Sequence, residues 1–205
     1  MIGIRVKSMS NFYYQFSRAI LAGICIGIGG CINLSIGGIF GAIFFAFGLL
    51  VIIYENYNLF TGIARNTYNL PKLLIALIGN IIGCFLVAKL AAFCSEKIVT
   101  GAITILTTRL NCGIFKCFLL SIPCGFIVTT VVRAAKEKNM YFPIFFGVPI
   151  FILCGFPHCI ADAFNFLVCP LSFLQFNLVS VIFTYIAIVL GNYIGCNLYR
   201  IVPQK

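Results

Sequence analysis

An all-α membrane protein is the fold class this chain predicts, with six transmembrane helices in two inverted three-helix repeats and with helices two and five broken. Three observations predict it. The composition is 62% hydrophobic and only 9% charged, with a mean hydropathy of +1.12, whereas soluble domains carry about 25% charged residues. The apolar residues gather into six stretches, each near the roughly 20 residues that a spanning helix needs, and a chain of 205 residues then has no room for a separate soluble catalytic domain. Polar residues, Gly and Pro interrupt two of those stretches at membrane depth.

The stretches run at about 17–36, 38–60, 72–94, 113–132, 141–169 and 173–199. Uncharged joints at Asn33 to Gly38 and at Cys169-Pro170 contrast with charged ones such as Arg65-Asn66-Thr67 and Arg133 to Asn139. With the N-terminus inside, the inner face holds Arg5, Lys7, Arg18, Arg65, Lys72, Arg133, Lys136, Lys138, Arg200 and Lys205. The outer face holds Lys97, Arg109 and Lys116, with Lys89 near the end of the third span. Basic residues concentrate on the cytoplasmic side of membrane proteins, so this bias predicts a multi-pass protein of the cell membrane with both termini cytoplasmic. The net charge of +10, from 14 basic against 4 acidic residues, reads as topology and attraction of anions, not as a nucleic-acid surface.

The basic N-terminal segment lacks a short apolar run with a small-residue cleavage site, so no removable signal peptide is expected. The 11 cysteines fall mostly inside apolar segments at no zinc-type spacing. They read as small packing residues in a reducing setting, not as disulfides.

The second stretch continues through Tyr54-Glu55-Asn56-Tyr57-Asn58-Leu59-Phe60-Thr61-Gly62, and the fifth is interrupted by Gly155-Phe156-Pro157-His158. Pro removes a backbone donor and cannot continue a regular helix. Irregular backbone in a bilayer must be buried in protein or line a cavity, so broken helices point to a permeation path. The following helices share Gly79-Asn80-Ile81-Ile82-Gly83-Cys84 and Gly191-Asn192-Tyr193-Ile194-Gly195-Cys196. Three spans per half make the repeats inverted, which divides the single transmembrane domain 1–205 into halves of about 14–95 and 111–200. The plainer reading of the paired motif is close helix packing, with Asn80 and Asn192 bonding across an interface.

These residues resemble the formate/nitrite transporter family of anion channels. The matching motifs are Phe45-Ala46-Phe47-Gly48-Leu49, Asn58-Leu59-Phe60-Thr61-Gly62, Gly79-Asn80, Gly155 through Asp162, and Gly191-Asn192, in the family's order across most of the chain. The resemblance implies an aquaporin-like protomer, a homopentamer, and a small monovalent anion as substrate, with or without an accompanying proton. It also implies that Leu59, Phe60 and Thr61 form a loop breaking the second helix, with the Thr61 hydroxyl near the His158 imidazole. Phe45 and Phe151 would form the slit on the cytoplasmic side, and Leu49 with Leu59 or Phe60 the other constriction. Without the resemblance, Phe45, Leu49 and Phe151 read as packing residues. The chain departs from the family pattern at Asn58 and Pro157, where acids are common, at Asp162, where Asn is usual, and at Met140, where a basic residue is expected and Lys138 lies nearby.

His158 is the single histidine. Ionisable groups within a membrane usually face a cavity, and an imidazole titrates near neutrality, so His158 can offer a hydrogen bond or a proton to an anion such as formate, nitrite or hydrosulfide. Its plain alternative is a neutral packing residue bonded to a carbonyl. Asp162, one helical turn on, would favour imidazolium but repel an anion, or else it is a structural carboxylate at the break. Glu55 is open in the same way. An aquaporin-like channel for neutral solutes fits the architecture. A metal carrier using Cys154, His158 and Asp162 lacks a further ligand, and a membrane enzyme lacks a second His, a nucleophile motif or a cofactor fingerprint.

Overall fold

A backbone N–H in hydrocarbon finds no water, so the apolar stretches fold as helices that satisfy themselves. The computed structural model describes residues 2–65 and 69–201, with side chains from Phe12 onward. Its helices are α1 (Ile2–Ile36), α2 (Gly38–Tyr54), α3 (Phe60–Ile63), α4 (Leu70–Cys94), α5 (Glu96–Cys112), α6 (Ile114–Lys138), α7 (Ile144–Leu153), α8 (Cys159–Val168), α9 (Leu171–Phe176) and α10 (Leu178–Asn197), followed by a 3-10 turn. The described residues contain no strand. Of the charged positions used for topology, Lys205 and the side chains of Arg5 and Lys7 lie outside the described residues, as do Asn66 and Thr67 of the second joint.

Helices α1, α4, α6 and α10 are long and apolar enough to cross a membrane. The second and fifth stretches are each divided in two, as α2 with α3 and as α7 with α8. The exterior is that of a protein solvated by lipid: Phe93 and Phe176 are 91% and 92% exposed, while Thr61, Asn80, His158, Asp162 and Asn192 are buried. Apolar surface outside and polar groups inside reverse the usual distribution, because here the interior is where a hydrogen bond can be found.

Both interruptions end their helices in the same way. Asn56 at φ 56° and Gly155 at φ 68° are left-handed residues just past α2 and α7. Around them Asn56 N–H donates to Ile53 O and Tyr57 N–H to Ile52 O, while Gly155 N–H donates to Ile152 O and Phe156 N–H to Phe151 O. These paired bonds are the Schellman closure, which turns the chain away while satisfying the last carbonyls. An arginine completes each closure: Arg18 donates to Glu55 O and Asn56 O, and Arg109 to Gly155 O at 2.6 Å. A cation beside the carbonyl end of a helix is favourable. Gly155 has open space where a Cβ would sit, so Gly155→Ala should cost only the left-handed penalty of about 1 kcal/mol. The expected result is a small drop in melting temperature in detergent with assembly intact.

Two buried asparagines then hold the resumed helices. Asn80 Oδ1 accepts Phe60 N–H at 2.8 Å, and its Nδ2 donates to Ala19 O and Asn58 O at 2.8 and 2.9 Å. Asn192 Oδ1 accepts Cys159 N–H at 2.7 Å, and its Nδ2 donates to Ser121 O and Pro157 O at 2.8 and 2.9 Å. The neighbouring thiols correspond as well, with Cys84 reaching Gly23 O and Ile160 O, and Cys196 reaching Gly125 O and Thr61 O. Helix contact is close at these motifs because a Cβ on Gly83 would meet Ile20 O, and one on Gly195 would meet Ile122 O.

Two expectations need correction. Phe60 and Thr61 are not loop residues: Leu59 is the N-cap and they form the first turn of α3. The region 95–112 is not a bare charged joint but helix α5, capped by Ser95, whose side chain accepts Ile98 N–H. Its buried residues Ile98, Ala102 and Leu106 recur every fourth position, and Lys97 ties it to Ser35 O beside the α1–α2 turn.

Candidate functional site

His158 is the N-cap of α8, and its Nδ1 accepts the Ala161 N–H at 3.2 Å. A backbone N–H can only donate, so Nδ1 carries no proton and the imidazole is the Nε2–H tautomer. Nε2 lies 3.1 Å from Thr61 Oγ1, and Nε2–H therefore donates to the hydroxyl. The Thr61 O–H remains able to donate in turn. Protonating Nδ1 would set two donors against each other and break the cap, so this geometry favours the imidazole as a hydrogen-bond donor over its use as an acid.

The imidazole of this contact lines an apolar neck. Phe151 stacks on His158 with ring centroids 5.5 Å apart, and Phe45 meets Phe151 edge-on at 6.1 Å. Phe45, Leu49, Leu59, Phe151 and His158 surround a cavity of about 10 Å³, at the lower limit for one water. Leu59, not Phe60, is the partner of Leu49 there; Phe60 is buried and engaged through its N–H with Asn80.

Larger cavities lie on either side of the neck. One of about 180 Å³ is lined by Phe45, Thr104, Thr108, Arg109, Phe151, His158 and Asp162, on the side of the α1–α2 turn and α5. The other, of about 130 Å³, is lined by Gly62, Arg65, Arg133, Lys136 and Glu137, on the side where Arg200 reaches Arg65 O near the end of the chain. The expectation that Phe45 and Phe151 form the cytoplasmic slit therefore conflicts with cytoplasmic termini. α2 starts at the face opposite the chain ends, so Phe45 precedes Leu49 and Leu59 on the way in. With the charge-derived orientation kept, the phenylalanine pair belongs to the outer side and Leu49 with Leu59 to the inner side.

Asp162 accepts from Arg109 Nε at 3.3 Å, with side-chain exposures of 2% and 14%. The carboxylate is thus anchored to α5 across the outer cavity. Arg109, which sequence reasoning counted only as a topology marker, is a residue of the site. Thr104 and Thr108 of α5 line the same cavity, although their hydroxyls also bond back to their own helix, Thr104 to Thr100 O and Thr108 to Thr104 O.

In the inner cavity Glu137 pairs with Arg65 at 2.6 Å and Arg133 at 3.0 Å. The Arg65 hydrogen bond, then that of Arg133, holds its carboxyl below the usual carboxylate range. It is half-exposed, so the effect on stability is small. Glu137→Gln would make this vestibule one charge more positive at neutral pH. Anion entry from this side should rise by less than about threefold at low salt, and the gain should vanish in high salt. Influx assays at two ionic strengths check this.

The three residues offered for a metal do not converge: among the described residues no group of three His, Cys, Asp or Glu side chains could hold an ion.

A family model described as formate/nitrite transporter matches residues 4–203. The chain belongs to the formate/nitrite transporter family. It is accordingly a multi-pass membrane protein whose general activity is transport of anions, and the membrane-enzyme reading falls. Among solved structures, this family member is similar to a pentameric formate channel with formate bound, at 20% identity and a TM-score of 0.78, covering 93% of this chain and 95% of the other. It is also similar to an FNT family ion channel, at 19% identity and a TM-score of 0.72, covering 94% and 89%. No curated protein matches it significantly.

Proposed function

We propose that this family member passes a small monovalent anion, formate, nitrite or hydrosulfide, through each protomer of a homopentamer whose termini are cytoplasmic. The single observation that carries the reading is the Thr61–His158 contact, whose imidazole lines an apolar neck between a cavity edged by Arg109 and one edged by Arg65, Arg133 and Lys136. Arg65, Arg133 and Lys136 outnumber Glu137 and gather anions at one mouth, while Arg109 at the other is paired with Asp162. An apolar neck excludes a bare ion because desolvation is prohibitive. The Thr61 hydroxyl, itself held by His158 Nε2–H, supplies a charge-assisted hydrogen bond where the anion sheds its water.

The scaffold for this path is two inverted three-helix repeats, supported by the matched bonds of Asn80 and Asn192, of Cys84 and Cys196, and by the left-handed closures at Asn56 and Gly155. Leu59 of the first repeat then stands where the second has His158. The pentamer rests on the solved channel of similar fold, which is pentameric, and the orientation on the bias of Lys and Arg. A neutral-solute channel would not need the excess of cations at the mouth edged by Arg65, Arg133 and Lys136.

The test is flux into liposomes containing the purified protein across a pH series, with glycerol as the neutral control. Formate, nitrite or hydrosulfide should pass above the protein-free background and glycerol should not. Glycerol flux without anion flux would overturn the reading.

A further inference from the structure

Asp162 is a buried acid on the wall of the outer cavity, and its surroundings give it a chemical consequence. Its Oδ1 is paired with Arg109, while Oδ2 is buried without a hydrogen-bond partner among the described residues. The Asn165 side chain lies beside the carboxyl and interacts with it, but makes no hydrogen bond of ordinary geometry to Oδ2. Both Asp162 and Arg109 line the outer cavity with His158.

The charge count follows from these groups. Arg109 from α5 and Asp162 on α8 sum to zero. The other titratable groups around Asp162 are Cys117 and Cys124 of α6, Cys159 beside it on α8, Tyr185 of α10, and His158 at the break, with Cys84 of α4 bonded to Ile160 O. All of these are neutral in their ordinary forms, and His158 has its Nδ1 lone pair taken by the Ala161 N–H. An anion entering this cavity therefore meets a guanidinium whose charge is already spent and a carboxylate that repels it. Two negative groups sharing one buried site favour taking up a single proton between them.

We propose that Asp162 is a proton-binding site and that the outer cavity takes up one proton together with one small monovalent anion. The proton adds to Oδ2 and converts the carboxylate to the neutral acid. The anion replaces it as the counter-ion of Arg109. The cavity stays neutral throughout, and on release the proton leaves Oδ2 as the carboxylate recovers its arginine. This rests on the anion-transport reading above and adds the coupled ion.

The experiment is formate uptake by liposomes carrying wild type, Asp162→Asn or Asp162→Glu, with protein-free flux subtracted, over a pH series. Wild-type uptake should rise by up to about tenfold per unit fall in pH, as expected for one coupled proton. Asp162→Asn should be nearly independent of pH and faster than wild type at neutral pH, and Asp162→Glu should keep the dependence. A pH profile unchanged in Asp162→Asn would overturn the proposal while leaving anion transport intact; no anion flux in wild type at any pH would defeat the transport reading and this proposal together. Should Asp162→Asn fail to assemble, proton uptake on adding formate to the wild-type protein in weak buffer decides the matter. About one proton per formate bound supports the site, and formate binding without proton uptake overturns it.

Discussion

Replacing His158 by Phe should cut anion flux by roughly ten- to hundredfold or more. The substitution removes Nε2–H from Thr61 and the Nδ1 acceptor from Ala161 N–H. A hydrogen bond serving a charged group contributes about 1.5–3 kcal/mol, and each 1.4 kcal/mol is tenfold. Thr61→Val, which keeps shape and loses the hydroxyl, should fall into the same range. His158→Asn should behave differently. Asn is a preferred N-cap, so its amide oxygen can take over the Ala161 N–H while its nitrogen keeps a donor near Thr61. Measurable flux should survive, with the pH profile of the wild type, because the geometry ties titration to Asp162 and not to the imidazole. Initial rates in liposomes across pH check all three variants. Loss of pH dependence in His158→Asn would make the histidine the proton carrier after all.

The second large effect is on folding. Asn192→Leu would leave Cys159 N–H and Pro157 O buried without partners and take one of its two donors from Ser121 O, which lies within α6. Each unmet buried group costs about 1–3 kcal/mol, so the loss takes a large share of the stability of an ordinary domain, about 5–15 kcal/mol. No folded oligomer should elute in mild detergent. Asn80→Leu should fail in the same way, since it strips Phe60 N–H and Asn58 O of their partners and takes a second donor from Ala19 O within α1. Normal elution and melting of either variant would show that water or a shift of the break replaces those bonds.

Much of this was legible in the sequence, and the reasons are particular. Apolar length alone marked the stretches that became α1, α4, α6 and α10, since only lipid solvates such segments. The interruptions showed because clusters of polar residues, Gly and Pro at membrane depth mark an irregular backbone that must be buried or line a cavity. The paired Gly-Asn motif was visible, but its plain reading as interface packing was incomplete. The asparagines do bond across helices, and what they bond are the free backbone groups created by the breaks. Helix α5 was harder to see because Thr100, Thr104, Thr108 and Arg109 alternate with its apolar face. The recurrence of Ile98, Ala102 and Leu106 at every fourth residue was the signal available. Missing α5 meant missing Arg109 in the outer cavity, and with it the partner that gives Asp162 its meaning. Motif order says nothing of direction, so the sequence alone did not order the two constrictions. Tracing α2 back from the α1–α2 turn puts Phe45 nearer that turn than Leu49.

The central claim is that the transported anion halts at the Thr61–His158 contact, and the chain's single histidine makes that directly measurable. With ¹⁵N-histidine protein in lipid and ¹³C-formate, solid-state NMR should give dipolar transfer between the formate carbon and the protonated Nε2 of His158, with Nδ1 unprotonated. Formate flux in the same preparation without any transfer to the imidazole would contradict the account.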